Sequence, residues 1–77
     1  MTKRPVPFGD RIRQLRKAAG LSQESLAREV GVTVSAVVQI ERGKITPSRR
    51  TVDGLARVLG VEATQLEGWL REGKVGA

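Results

Sequence analysis

The side chains able to do chemistry in this 77-residue chain are cations and amides, not nucleophiles or acid–base pairs. It has no His, Cys or Tyr, and its Asp and Glu residues are scattered among basic neighbours, so catalysis lacks its usual groups. A zinc site would have to be built from carboxylates alone, and neither disulfide staples nor thiolate chemistry is available. No catalytic residue, metal or cofactor is expected. What remains is charge: residues 1–50 hold 11 Lys and Arg against 4 Asp and Glu, and residues 51–77 hold 3 against 4, so the halves carry +7 and −1. Solubility alone would account for a net charge but not for its uneven placement. An excess concentrated in this way suits a polyanion, because each neutralised phosphate releases condensed counterions.

The elements that would carry those cations follow from apolar spacing. Between Gln23 and Arg42 the chain reads QESLAREVGVTVSAVVQIER, with Ala27, Gly31, Val37 and Ile40 spaced as two short helices crossing at a tight turn require. A side chain larger than Ala27 would push the helices apart, and Gly31 can take the positive φ that ends the first of them. Val37 and Ile40 then share one face and pack back onto Leu26, Ala27 and Val30. This is the pattern of a helix-turn-helix, which points to DNA.

Around it the chain predicts three more helices. Helix 1 runs from Phe8 or Asp10 to Ala19, with Phe8, Ile12, Leu15 and Ala19 inward, Arg11, Arg13 and Lys17 outward, and Gly20 as its stop. Ser22 and Thr33 cap helices 2 and 3, while Leu21 and Val32 are placed to staple onto Leu26 and Val37. Gly43 ends helix 3, Ser48 caps helix 4, and Val52, Leu55, Ala56 and Leu59 face inward before Gly60. Helix 5 starts near Ala63 behind Glu62, a poorer cap. Met1–Pro7 reads as a flexible basic arm, residues 8–72 as one domain and residues 73–77 as a frayed tail. The chain has room for one small all-α domain. No apolar run approaches the roughly 20 residues of a membrane span, and a cytoplasmic location is expected.

The segment FGDRIRQLRKAAGLSQESLAREVGVTVSAVVQIERGKITPSRRTVDGLARVLGV resembles the lambda-repressor-like, Cro-type helix-turn-helix domain, also called the XRE family. The blocks GLSQESLA, QIERGKITPS and LARVLGV fall in order and at the right separations, over most of Phe8–Leu70. The resemblance implies a five-helix DNA-binding domain with its helix-turn-helix at helices 2 and 3. It also implies a transcriptional regulator, here expected to be a repressor, acting as a homodimer on an inverted-repeat operator in double-stranded DNA. An antitoxin of a toxin–antitoxin pair, or another protein-interaction module, can share this fold and stands as the alternative, with a toxin protein as its partner.

The same resemblance assigns sites. The first turn of the reading helix and one outward position further along place Val34, Ser35, Val38 and Gln39 against base edges. Gln39 can pair with adenine N6 and N7, Ser35 can donate or accept, and a valine can pack on a thymine methyl. The other reading makes Val34 part of the local fold and Val38 an ordinary surface residue. Phosphate contacts are expected from Gln23, at a helix N-terminus, and from Arg42, Lys44 and Thr46 around the helix 3–4 loop. Arg49 and Arg50, whose charge opposes the dipole of helix 4, are expected to join them, with Arg13 and Arg11 of helix 1 as further candidates. Arg16 and Glu41 are implied to pair, tying helix 1 to helix 3. Val61, Leu66, Trp69 and Leu70 are candidates for a self-complementary dimer patch, unless they close the core against helix 1 instead.

Overall fold

The computed structural model describes residues 6–72. Most of the arm expected over residues 1–7, and all of the tail expected over residues 73–77, lie outside the described residues. Five helices follow in order: α1 (Phe8–Ala18), α2 (Gln23–Val30), α3 (Val34–Glu41), α4 (Arg49–Leu59) and α5 (Ala63–Glu72), with no strand among the described residues. None of them is long and apolar enough to cross a membrane.

Local chemistry sets where the helices begin. The Ser22 and Thr33 hydroxyls accept the backbone N–H of Ser25 and Ala36, each at 3.0 Å, and Ser48 accepts that of Thr51 at 3.2 Å. Each such cap contributes about 1 kcal/mol. The turn between α2 and α3 is fixed by Gly31, which takes φ 88° and donates to the Ala27 carbonyl at 2.8 Å, followed by Val32 donating to the same oxygen at 3.0 Å. A side chain at Gly31 would be strained there, so the crossing of the two helices depends on this residue.

Packing then gathers Ile12, Leu26, Ala27, Val37, Val52, Leu55, Ala56 and Leu66 into one buried cluster. Helix α2 lies against α3 and α4, α1 bridges α3 and α5, and α4 packs on α5. Two glycines set how closely these helices approach. A Cβ on Gly9 would strike the backbone carbonyl oxygens of Glu41 and, at 2.6 Å, Ile40, so α1 rests directly on the end of α3. A Cβ on Gly54 would come within 2.9 Å of Val30 Cγ1, which identifies the close neighbour of this helical glycine.

Three expectations about facing need correction. Ala19 is exposed, because α1 stops at Ala18 and the chain turns away. Arg11 does not point simply outward: its guanidinium lies 4.7 Å from the centre of the Trp69 ring and 3.3 Å from the Glu72 carboxylate. Leu66, a candidate for the dimer patch, is 0% exposed and belongs to the core. It is the residue by which α5 closes the cluster, and it has no surface left for a partner.

Candidate nucleic-acid interface

Helix α3 divides cleanly into two faces. Val37, Ile40 and Glu41 are buried, while Val34 and Ser35 are exposed and Val38 and Gln39 are half-buried. Positions 34, 35, 38 and 39 form one stripe on a helix, opposite the buried set. The stripe thus combines two branched apolar side chains, a hydroxyl and an amide, and the exposure of Val34 is 40%. An apolar residue left open beside polar groups at a helix start is suited to the methyl groups and donor–acceptor edges of a DNA groove.

Exposed cations follow this stripe in the chain. Arg42, Lys44, Thr46, Arg49 and Arg50 are all exposed on the segment that leaves α3 and opens α4. Among the described residues, Arg42, Lys44 and Arg50 form no ion pair, so their charge is free to meet an external anion. Arg49 differs, since its Nε lies 3.3 Å from the Glu67 carboxylate of α5 while the side chain stays 82% exposed. That carboxylate stands beside a cation whose charge opposes the dipole of α4, though so exposed a pair contributes little. Ile45, between Lys44 and Thr46, is 47% exposed. Sequence reasoning passed over it, although an apolar residue flanked by polar ones in a short loop was the available signal.

The reading helix is held from below by a buried ion pair. Arg16 Nε donates to Glu41 Oε2 at 2.6 Å and Arg16 Nη2 donates to Glu41 Oε1 at 3.2 Å, a bidentate contact between two residues that are 8% and 3% exposed. Arg16 Nη1 also donates to the Leu21 carbonyl at 2.9 Å. Gln23 reaches the same carboxylate, its Nε2 donating to Glu41 Oε1 at 3.0 Å, a contact the sequence did not reveal. Arg13 lies further out, 3.8 Å from Glu41 Oε1 and 3.9 Å from Asp10 Oδ1, with its side chain 44% exposed. No buried side-chain polar atom lacks a partner among the described residues.

Of the remaining dimer candidates, Val61, Trp69 and Leu70 are half-buried and packed against the core, retaining part of their surface. They do not form one open patch with Leu66, which is covered.

A two-helix unit with a capped, exposed second helix and an unpaired basic loop defines a class of proteins that address duplex DNA. Comparison with known proteins agrees. A helix-turn-helix domain model matches residues 7–69. Over 59 residues the chain is 41% identical to the HTH-type transcriptional regulator YazB of Bacillus subtilis, covering 77% of this chain and 86% of that protein. It is similar in structure to the restriction-modification controller protein C.AhdI of Aeromonas hydrophila, with TM-score 0.72 and 44% identity over 77% of this chain and 89% of that one. The regulator of biofilm formation SinR, solved in complex with DNA, gives TM-score 0.72 and 36% identity over 78% and 97%. The chain belongs to the lambda-repressor-like helix-turn-helix family of DNA-binding transcriptional regulators.

Proposed function

We propose that this regulator represses transcription by binding a specific inverted-repeat operator as a homodimer, with α3 in the major groove of each half-site. In this reading Val34, Ser35, Val38 and Gln39 address base edges. Gln23, Arg42, Lys44, Thr46, Arg49, Arg50 and Arg13 anchor the phosphates, and Val61, Trp69 and Leu70 contribute to the contact between protomers. It acts in the cytoplasm and catalyses no reaction. The observation that carries this reading is the open stripe of α3 flanked by exposed cations, three of which have no acidic partner among the described residues. Apolar and amide groups there give sequence discrimination, while the cations supply affinity that falls steeply with salt.

Selection of bound duplexes from random DNA, repeated with Gln39→Ala, tests it. The parent chain is expected to recover a palindromic preference, and the variant to relax it at one position and its symmetry mate, at about 1–3 kcal/mol per contact. Lys44→Ala should instead weaken all sequences alike and lower the salt slope by about 1. Recovery of no preference at any salt would favour a protein-contact module such as an antitoxin.

A further inference from the structure

Glu41 sits where three helices meet. It stands at the end of α3, its carboxylate receives Arg16 from α1, and it also receives Gln23 from the first turn of α2. Arg16 in turn holds the Leu21 carbonyl. The pair therefore grips the entry to α2 on both sides of Ser22, through a backbone oxygen before it and a side-chain amide after it.

The chemistry of these contacts fixes the orientation of Gln23. A carboxylate only accepts hydrogen bonds, so the amide must turn its NH2 group inward. One N–H of that nitrogen is used by Glu41, and the same nitrogen carries a second. Gln23 is half-buried and keeps part of its surface at the start of α2, beside backbone donors that an anion favours. A free glutamine would lose rotamer freedom on meeting a phosphate, whereas one already held does not.

We infer that Glu41 is a positioning residue for DNA binding: it presents the remaining Nε2–H of Gln23 to a phosphate and sets the spacing between that anchor and the reading turn of α3. The inference rests on the proposed reading of Gln23 as a phosphate contact. Glu41 itself, with its side chain 1% exposed, never touches DNA.

The test uses the full chain and a duplex recovered by selection from random DNA, with affinity measured by fluorescence anisotropy where circular dichroism shows every variant folded. Gln23→Ala and Glu41→Gln are each expected to weaken binding about tenfold, and the double variant by about tenfold again in total, not about a hundredfold. Effects that multiply would overturn the inference, since Glu41 would then act through the fold alone. A Gln23→Ala variant that binds like the parent would overturn it as well. Should Glu41→Gln not fold, the two side-chain amide protons of Gln23 in the 15N-labelled parent decide. They are expected to be well separated, with added duplex shifting the outward one more, and a pair at the positions of a free glutamine overturns the inference. Failure of the regulator reading would look different, because the parent chain would then show no sequence preference.

Discussion

Helix α1 meets the rest of the molecule along two seams, each using an arginine, and the two arginines have opposite fates. On the α3 side the Arg16 side chain is 10% exposed and bidentate to a carboxylate whose side chain is 1% exposed. On the α5 side Arg11 lies over Trp69 and beside Glu72, with its own side chain 22% and the glutamate 48% exposed. Burial, not residue type, separates them. The two buried charges on the α3 seam are each other's main partners, with Gln23 and the Leu21 carbonyl completing the set, while the Glu72 end of the Arg11 pair stays in water. The seam that carries the reading helix is therefore closed by a buried ion pair and the seam between α1 and α5 by a partly solvated one, while Leu66 anchors α5 in the core.

The contrast can be broken or sharpened by substitution, with unfolding followed by denaturant. Arg16→Ala has the largest expected effect, about 3–5 kcal/mol, because it leaves the Glu41 carboxylate buried without its main partner. A loss no larger than that of Arg11→Ala would abolish the distinction. Gly9→Ala comes next, at about 1–3 kcal/mol, since the new methyl meets backbone carbonyls that cannot rotate aside. Arg11→Ala should cost about 1 kcal/mol, combining an exposed ion pair with a partly solvated cation–π contact. Gly68→Ala has the opposite sign: a Cβ there meets nothing within 4 Å, so α5 should gain about 0.8–1.0 kcal/mol from helix propensity alone. Alanine at Gly9 behaving like alanine at Gly68 would show that α1 and α3 can slide apart without penalty.

Features encoded by neighbours in sequence were legible. Ser22, Thr33 and Ser48 cap the helices they were read to cap, and Gly31 and Gly60 end α2 and α4 in the left-handed conformation. Local hydrogen bonds need only residues a turn apart, and the sequence displays those directly. The Arg16–Glu41 pair was legible only through family resemblance, since it joins residues 25 positions apart. Periodicity placed Leu66 on the apolar face of α5 but could not say that it reaches deepest while Val61, Trp69 and Leu70 keep some surface. A helical wheel ranks Arg11 by polarity and turns it to solvent, because its aromatic neighbour comes from the far end of the chain. Gln23 was read as a phosphate contact, and its tie to Glu41 needed coordinates because an amide has no preferred partner in sequence.

The tryptophan beneath Arg11 is the sole residue of its kind, and the chain has no tyrosine, so ultraviolet emission from this protein reports almost entirely on one spot. Because that spot lies between α1 and α5, its colour and quenching should register any shift of the last helix against the first. The molecule thus contains a natural optical gauge of whether its final helix is latched, readable without a label.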